Sequence, residues 1–382
     1  MKKIVFVYHA NGVFSKIPCA VNIVNKLAAN NFDVHIFTIS NDSYGENPNL
    51  PSSNRIVYNY FDSSKVWLAK FSTSLAFYVW VIKKNLFPRL IHSSSSVIHF
   101  GIDFQGLLIA WIMSFIIKGR VYFQSFEMNL TWAPVLPKWM TILENILIKK
   151  VEGVIIHDQL RAKMYKEDKK LFNIPFFLIA NSFSGNSLFV KSEFLHNRLS
   201  IDHNIPILLY QGSAGDWAWS HSVLMVFQSH KLDYKLVFHV NEASKSEVLG
   251  DFELSDLINV EFSTANLPID AVKNVVESCD VGLVIYEHPS PNTHYVGYSS
   301  GKLCQYLKSG KPIICNDIPL ISNHVREFGS GVIVSSAEEI PAAFLRIMAE
   351  YDEYSTNAVK HYNAQINPDI EIIRLLSELD KL

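Results

Sequence analysis

The strongest constraint on the fold is an alternation of short apolar runs with helical patterns, which occurs twice along the chain. The predicted strands of the first series are residues 3–8, 33–39, 55–60, 96–100, 120–125, 153–157 and 175–180. Helical patterns lie between them at residues 19–29, 64–87, 104–117, 137–150 and 158–168. Near-continuous apolar strands that are separated by helices predict a parallel sheet covered on both faces.

The pattern restarts after a polar stretch at residues 181–204, which we interpret as a linker. Its predicted strands are residues 206–212, 234–240, 259–263, 280–286, 311–315 and 331–335, and two or three helices close the chain. The sequence therefore predicts two doubly wound α/β domains in tandem. In such folds ligands bind at the carboxyl ends of the strands, and we expect the active site in the cleft between the domains.

Composition agrees with two domains, since the chain has 382 residues and 49% of them are apolar. Four scattered cysteines without a Cys-x-x-Cys motif argue against a disulfide framework or a zinc site and fit a reducing compartment. The apolar run that begins the chain is too short for a signal peptide. The longest run, residues 106–117, is shorter than the roughly 20 residues of a membrane span and predicts a buried helix.

Charge is divided unevenly along the chain. Residues 1–190 hold 20 Lys and Arg against 11 Asp and Glu, whereas the remainder holds 14 against 25. This asymmetry predicts that the two domains have different partners. Residues 65–91 mix aromatic with basic side chains, which is typical of helices that lie on anionic membranes. A core helix with basic ends is the alternative.

The segment "GYSSGKLCQYLKSGKPIICNDIP", residues 297–319, contains the best candidate ligand site. It is no nucleotide-triphosphate loop, because only three residues separate Gly297 from Gly301 and Leu303 replaces the hydroxyl residue that would hold magnesium. A dinucleotide fold is disfavoured too, since the loop after the first strand has one glycine.

Free backbone N–H groups are expected at Ser299, Ser300 and Gly301, where this segment begins a helix. The helix dipole is positive there, and Lys302 adds a full charge. The residues therefore predict an anion site. An ordinary capped helix with a solvated lysine is the alternative.

The same segment, together with the preceding "CDVGLVIYEHP", resembles the donor-binding region of GT-B glycosyltransferases, in particular the family 4-like group that uses nucleotide sugars and builds bacterial polysaccharide and lipopolysaccharide. The matching positions are Asp280, Gly282, Lys302, Tyr306, Leu307, Gly310 and Pro312. "IANSFSG" resembles the interdomain turn of that group, and "LLYQGSAG" its glycine loop.

The resemblance implies GT-B architecture, with two Rossmann-like domains that face a cleft. An acceptor-binding domain is expected at residues 1–185 and a nucleotide-sugar-binding domain at 200–365. A C-terminal helix at 366–382 is expected to return to the first domain. The implied donor site contains Gly212, Ser213, Val240, Asn241, Phe262, Glu287, His288, Ser299, Ser300, Gly301, Lys302 and Gln305.

Two departures from the group concern the donor site. The position whose glutamate normally holds the nucleotide ribose is Gln305, and an amide binds a hydroxyl less strongly than a carboxylate does. The loop after Gly212 also lacks the usual basic residue and has Trp217 and Trp219 instead. Both departures leave a catalytically silent nucleotide-sugar-binding or scaffold protein open as an alternative.

The implied reaction is sugar transfer from a nucleotide diphosphate sugar to a glycan or lipid-linked acceptor. Candidate catalytic residues are Glu127, the first choice for a base in an inverting enzyme, His99 and Lys302, and the acceptor side is expected at His9, Asn11 and Gly12. No Asp-x-Asp occurs, so neither a metal nor another cofactor is expected.

The implied location is cytoplasmic, with peripheral contact to the inner face of the membrane through residues 65–91. A nucleotide-sugar epimerase is a further alternative within the fold, although the expected acidic and histidine groups around the diphosphate are missing. Nucleic-acid binding is disfavoured, because the isoelectric point is near 6.7 and the second half has no basic and aromatic module.

Overall fold

The computed structural model describes residues 3–10, 14–39, 53–65, 72–86, 96–228, 232–254, 257–264, 267, 269–287 and 290–381. Three of the predicted site residues, Asn11, Gly12 and His288, lie outside these ranges. The chain divides into two compact units. Unit 1 is Met1–Ala180 with Pro368–Leu382, and unit 2 is Asn181–Asn367.

Unit 1 is built on a parallel sheet of seven strands in the order β3-β2-β1-β4-β5-β6-β7. The strands are β1 (Lys3–His9), β2 (Phe32–Ile39), β3 (Ile56–Phe61), β4 (Ser96–Ile102), β5 (Arg120–Gln124), β6 (Gly153–Ile156) and β7 (Phe176–Leu178). Its helices are α1 (Pro18–Ala29), α2 (Thr73–Leu86), α3 (Asp103–Ile116), α4 (Lys138–Leu147) and α5 (Gln159–Lys169).

Unit 2 has a parallel sheet of six strands in the order β10-β9-β8-β11-β12-β13, and it begins with α6 (Phe194–Leu199). The strands are β8 (Ile207–Gln211), β9 (Lys235–His239), β10 (Val260–Ser263), β11 (Val281–Val284), β12 (Ile313–Cys315) and β13 (Gly331–Ile333). The other helices are α7 (Ser220–Gln228), α8 (Glu242–Leu249), α9 (Ile269–Glu277), α10 (Pro291–His294), α11 (Gly301–Lys308), α12 (Ile321–Phe328), α13 (Ile340–Ala349) and α14 (Tyr351–His361).

The last helix, α15 (Asp369–Asp380), belongs to unit 1. Its Glu371 carboxylate accepts the N–H of Leu178 at 2.9 Å, and Ile372 and Leu375 enter the core that contains β1, β2 and β4. A second core in unit 2 lies between its sheet and helices such as α7 and α13. Each unit therefore buries its own apolar surface.

Every predicted strand is present, with ends that differ by at most two residues. Two other predictions need correction. The predicted linker 181–204 contains α6, and the predicted helix 64–87 is replaced, within its described part, by a 3-10 turn at Ser63–Lys65 and α2. Phe77 and Val81 of α2 are buried, and the ring of Trp80 packs 5.5 Å from that of Phe61. These aromatic side chains therefore belong to the core, as in the alternative reading of residues 65–91.

Helix α11 lies directly against β11 because one strand residue has no side chain. A Cβ placed on Gly282 would lie 2.3 Å from ring atoms of Tyr306. The Tyr306 hydroxyl reaches across to the next strand and donates to the Leu209 carbonyl at 2.8 Å. Gly282 and Tyr306 are both part of the sequence motif, and their contact fixes the position of α11.

Replacement of Gly282 by alanine tests this contact. Because the tyrosine is buried and bonded at its hydroxyl, it has no room to move, and we expect Gly282→Ala to lower the free energy of unfolding by about 1–3 kcal/mol. Urea unfolding followed by circular dichroism measures the change. Gly301→Ala is the matched control, since the added Cβ would meet its nearest atom, Nδ2 of Asn181, at an ordinary 3.6 Å. Equal stability of the two variants would contradict the proposed contact.

Candidate functional site

Both sheets reverse their strand order at one place, and such places are where open α/β sheets bind ligands. In unit 2 the reversal lies between β8 and β11, and in unit 1 between β1 and β4. The carboxyl ends of these strands therefore mark the positions at which a ligand is expected in each unit.

Helix α11 begins close to the carboxyl end of β11. Ser300 is its N-cap, and the serine hydroxyl accepts the N–H of Leu303 at 3.3 Å. The N–H of Ser299 donates to Val296 at 2.9 Å and that of Ser300 to Gly297 at 3.3 Å. The prediction of free N–H groups at Ser299 and Ser300 is therefore wrong, because a 3-10 turn at Gly297–Ser299 uses them. Helix geometry leaves Gly301 and Lys302 without intrahelical acceptors.

The amine of Lys302 lies among three aromatic rings, which we call the aromatic cage (Tyr210, Trp217 and Tyr286). Its Nζ atom is 4.5 Å from the ring centre of Tyr210, 4.7 Å from that of Tyr286 and 5.8 Å from that of Trp217. The atom is shielded from solvent and has no hydrogen-bond partner among the described residues. The alternative of a solvated lysine is therefore wrong, and contact of Lys302 with an anion stays a prediction.

Burial lowers the pKa of the Lys302 amine to about 7. The ring faces attract a cation. This attraction favours the charged form, whereas the loss of hydration on burial disfavours it. An anion that approached the amine would favour its charged form and raise the pKa again. The group is therefore close to balance between its two protonation states near neutral pH.

Hydrogen bonds hold the aromatic cage in place. The Tyr286 hydroxyl lies 2.9 Å from Oγ of Ser300, which ties the cage to the start of α11. Asn316 bonds both backbone groups of Tyr286, accepting its N–H at 3.0 Å and donating to its carbonyl at 2.7 Å. The Tyr210 hydroxyl donates to the Ser213 carbonyl at 2.7 Å. The cage is thus preorganised around the amine.

Gly212 and Gln305 border this arrangement at the end of β8. Gly212 has a φ of +99°, which favours glycine, and a Cβ there would meet nothing within 4 Å. The Gln305 carbonyl accepts the side-chain N–H of Gln211 at 2.8 Å. The predicted ribose-binding residue is therefore engaged with a neighbour, while the carbonyl oxygen of Gln211 is buried without a partner among described residues.

The positions expected around the nucleobase follow β9 and β10. Val240 is buried, and its N–H donates to the Ser263 carbonyl at 3.1 Å. Phe262 stacks on Phe238 with ring centres 5.2 Å apart. Asn241 is the N-cap of α8 and accepts the N–H of Ser244 at 2.8 Å. Its side chain has a structural role there, which leaves binding of a base by Asn241 a prediction.

Glu287 connects the strand end to the loop that follows Gly212. Its N–H donates to the carbonyl of Trp217, and its carboxylate accepts the indole N–H of Trp219. Trp219 itself adopts a left-handed backbone conformation with a φ of +53°. The two tryptophans that replace the expected basic residue therefore contribute to the cage and hold Glu287.

In unit 1 the structure corrects the prediction for His99. This residue lies in the middle of β4 rather than at its end, because the strand continues to Ile102. Its two ring nitrogens contact the Tyr8 hydroxyl at 3.0 Å and the Ile117 carbonyl at 2.9 Å, and burial lowers its pKa to about 4. Such packing does not support a catalytic role. His9 does end β1, where its buried ring contacts the Thr38 hydroxyl at 3.3 Å.

Asp103 is a candidate that the sequence analysis missed. It follows β4 directly at the reversal point of unit 1, and its φ of +53° is unusual for a residue with a side chain. Its carboxylate accepts the N–H groups of Phe126 at 2.8 Å and Glu127 at 3.3 Å, while burial raises its pKa to about 7. The polar residue directly after an apolar strand was the sequence signal for it.

The predicted base Glu127 lies next to this aspartate, and only part of the residue is open to solvent. Desolvation raises the pKa of its carboxyl, and the positive charge of Arg161 opposes that rise. Since Asp103 holds the backbone N–H of Glu127, it positions the glutamate at the carboxyl edge of the sheet.

The remaining predicted features concern metals and thiols. Within the described ranges, no group of three or more His, Cys, Asp and Glu residues is arranged to hold a metal ion. The four cysteines are buried and free, which confirms that they form no disulfide framework. Asp158, which starts α5, is a plain N-cap that accepts the N–H of Arg161 at 2.9 Å.

Because the Lys302 amine is buried without a partner among the described residues, we expect that its replacement by an apolar side chain stabilises the fold. The folded-state pKa of Lys302 lies near 7, below its ordinary value of 10.5. Below pH 7 the folded protein therefore loses the full free energy of burying the charged amine. This destabilisation decreases as the pH rises from 7 toward 10.5, because the buried amine is then neutral. We expect Lys302→Met to be more stable than the wild type at about pH 6, and the difference to shrink by about pH 9.5.

Thermal unfolding of both proteins at the two pH values measures this. Lys308→Met is the matched control on the same helix, because the Lys308 amine donates to the Gly185 carbonyl at 2.8 Å and the Asn186 carbonyl at 3.2 Å. This control should be less stable than the wild type at both pH values. A Lys302→Met protein that is destabilised like the control would refute a buried, unpaired amine.

Comparison with known proteins gives matches in structure alone: no family model and no curated protein sequence matches this chain. Sucrose-phosphate synthase from Thermosynechococcus elongatus superposes with a TM-score of 0.72 at 12% identity, over 100% of this chain and 99% of that one. HepE from Anabaena, crystallised with UDP and glucose, gives 0.70 at 13% identity over 100% of both chains.

A trehalose-phosphate synthase from Burkholderia vietnamiensis, described as UDP-forming, gives a TM-score of 0.62 at 10% identity over 100% of both chains. At this level of identity the similarity establishes architecture. The two doubly wound parallel sheets and these matches over whole chains show that the protein has the GT-B fold.

Proposed function

We propose that the protein is a glycosyltransferase that moves a sugar from a nucleotide diphosphate sugar to a glycan or lipid-linked acceptor. The observation that carries the proposal is the amine of Lys302, which is buried without an anionic partner at the start of α11. An unpaired cation beside free helical N–H groups is suited to a diphosphate, because both stabilise negative charge. The UDP-bound state of HepE, which has the same fold, supports a nucleotide as the source of that charge.

In the proposed reaction the bond between the sugar and the diphosphate breaks, and negative charge accumulates on the leaving diphosphate. The N–H groups of Gly301 and Lys302 and the protonated amine stabilise this charge. Burial lowers the pKa of the Lys302 amine to about 7 when no anion is present. Arrival of the diphosphate would raise this pKa again, so that the lysine takes up a proton. No metal or other cofactor is part of the proposal.

In unit 1, Glu127 is the proposed base that accepts the proton of the acceptor hydroxyl if the enzyme inverts the sugar configuration. Its raised pKa brings it closer to neutrality, where a general base is most effective. Asp103 acts as a positioning residue, since it holds the Glu127 backbone. A retaining enzyme would need no such base.

A role in assembly of cell-surface polysaccharide, with the chain in the cytoplasm, is the biological setting that we propose. It rests on the resemblance of residues 279–319 to enzymes of that kind. Among the described residues no helix is both long and apolar enough to cross a bilayer.

A catalytically silent sugar-nucleotide-binding protein is the second candidate. One observation favours it: Gln305, to which the resemblance assigns the contact with the ribose, is bonded to Gln211. To bind a ribose, the hydrogen bond between Gln211 and Gln305 must break, or the other polar atoms of the two side chains must contact the sugar. Product formation separates this candidate from the enzyme.

Nucleotide binding tests the donor site. Calorimetry with UDP, GDP, ADP, CMP and their sugars should reveal one diphosphate that binds the wild type, with UDP tested first because of HepE. Lys302→Ala should weaken that binding by about tenfold to a hundredfold, as expected for a lost hydrogen bond to a charged group of about 1.5–3 kcal/mol.

Lys308→Ala is the control for this experiment, because Lys308 shares α11 but donates to the Gly185 and Asn186 carbonyls. Its affinity should equal that of the wild type. At about pH 8, calorimetry in two buffers of different ionisation enthalpy should also show uptake of a fraction of a proton, which Lys302→Ala abolishes. If no nucleotide diphosphate binds the wild type, the proposed function is refuted.

The proposed base is tested by a conservative replacement. Glu127→Gln should reduce kcat by about a hundredfold or more and leave the affinity for the donor unchanged, because a general base contributes about 10²–10⁴ to the rate. Release of the nucleotide in the presence of acceptor measures kcat, and calorimetry measures donor affinity. Retention of full activity by this variant would indicate a mechanism without a side-chain base at Glu127.

A further inference from the structure

Helix α4 of unit 1 exposes an unusual amount of apolar surface. Trp139, Ile142 and Ile146 are all exposed, and their spacing places them on one side of the helix. The loop before the helix adds Trp132 and Val135. These five residues form what we call the apolar α4 face, in which the two tryptophans are 64% and 60% exposed.

The opposite side of α4 is packed inside unit 1. Thr141, Glu144 and Leu147 are buried, so the helix is anchored while its outer side remains uncovered. Contiguous apolar patches of this kind are rare on monomeric soluble proteins and mark interaction sites.

Polar contacts hold the apolar α4 face rigidly. The side-chain carbonyl of Asn129 accepts the N–H groups of Val135 at 3.2 Å and Leu136 at 3.4 Å, which fixes the loop. Thr131, next to Trp132, is bonded through its N–H and hydroxyl to Asp168 at 2.9 and 3.0 Å. The exposed rings therefore project from a fixed frame rather than from a loose loop.

The exposed charged side chains of α4 and beside its two ends are mostly basic, and nearby acidic residues are Asp168, which bonds Thr131, and the exposed Glu152. Between residues 128 and 150 the sequence contains three lysines, Lys138, Lys149 and Lys150, and one acidic residue, Glu144. All three lysines are exposed. Glu144 is buried, where it accepts the Tyr165 hydroxyl at 2.8 Å and lies 3.6 Å from the Lys169 amine. Lys138 begins α4, and Lys149 and Lys150 follow its end, so exposed basic side chains lie at both ends of the apolar α4 face.

The neighbouring helix α3 extends this surface. Its Phe115 is 70% exposed and packs against Trp111 with ring centres 4.6 Å apart. The Lys150 amine in turn lies 5.7 Å from the ring centre of Trp111. This chain of contacts connects the exposed end of α3 with the lysines that follow α4.

We infer that the apolar α4 face binds the surface of an anionic lipid bilayer. Tryptophans prefer the boundary between hydrocarbon and headgroups, isoleucines enter the acyl region, and lysines pair with anionic headgroups. A partner protein would need acidic side chains that match the lysines and an apolar surface that matches the exposed rings. An anionic bilayer supplies negative headgroups and hydrocarbon without such a specific match. The inference requires no nucleotide and stands independently of the proposed sugar transfer.

The surface differs from the one that the sequence suggested. In residues 65–91 the aromatic rings of Phe77 and Trp80 pack into unit 1, whereas those of Trp132 and Trp139 face solvent. A membrane contact through residues 65–91 stays untested.

Vesicle flotation of the full chain tests the inference. Vesicles of phosphatidylcholine with about 30% phosphatidylglycerol should bind the protein at least about tenfold more strongly than phosphatidylcholine alone, because the three lysines are attracted to an anionic surface. Binding should weaken as salt rises from about 0.05 to 0.5 M. The double variant Trp139→Ser/Ile142→Ser should lose about tenfold or more of the affinity, since two apolar side chains no longer leave water.

The matched control is Leu345→Ser/Ile258→Ser, which removes two apolar side chains of similar exposure, 58% and 66%, from unit 2. It should bind vesicles like the wild type. Circular dichroism checks that both double variants remain folded. In a second measurement, brominated lipid should quench tryptophan fluorescence of the wild type, and Trp132→Phe/Trp139→Phe should keep the binding but lose most of the quenching.

Three results would overturn the inference. One is equal binding to neutral and anionic vesicles, and another is undiminished binding of the Trp139→Ser/Ile142→Ser variant. The third is a wild-type dimer in solution that the same variant converts to a monomer, because the face would then be covered by a second copy of the chain.

Discussion

The contact between Tyr306 and Gly282 determines where the candidate anion-binding group lies. The ring occupies the space that a side chain on β11 would fill, and its hydroxyl bonds β8, so α11 is fixed against both strands at the reversal point. Residues 302 and 306 lie on the same side of the helix, one turn apart. The packing of Tyr306 against β11 therefore orients the helix so that Lys302 points toward the strand ends. The same face of α11 thus carries Tyr306, which packs on the sheet, and Lys302, the candidate anion-binding residue.

Each unit has an ionisable group whose pKa is moved toward neutrality at its reversal point. In unit 2 burial lowers the pKa of Lys302, and in unit 1 burial raises that of Asp103. The Lys302 amine has no hydrogen-bond partner among the described residues, whereas the Asp103 carboxylate accepts two backbone N–H groups. Perturbed groups of this kind concentrate at functional sites, which is why both reversal points are interpreted as parts of working sites.

The strands could be predicted from the sequence because a parallel sheet buried on both faces requires unbroken apolar runs. The exact strand ends could not, and His99 shows the consequence: two further residues of β4 place it inside the sheet. The position of Lys302 in the motif was also predictable. Its enclosure by Tyr210, Trp217 and Tyr286 was not, because Tyr210 and Trp217 lie 92 and 85 residues before Lys302 in the sequence. Similarly, the 3-10 turn that uses the Ser299 N–H is contacted by a residue distant in sequence, since Asn181 donates its backbone N–H to the Tyr298 carbonyl at 2.9 Å and its side-chain N–H to the Ser299 carbonyl at 3.2 Å.

Unit 2 is inserted within unit 1, since residues 181–367 separate β7 from α15. The core of unit 1 includes Ile372, Leu375 and Leu379, and Glu371 caps the N–H of Leu178. During synthesis on the ribosome, unit 1 must therefore wait with an uncovered apolar surface until nearly two hundred further residues have been made. Unit 2 has no such delay. The core of unit 1 is consequently completed last, although its strands are made first.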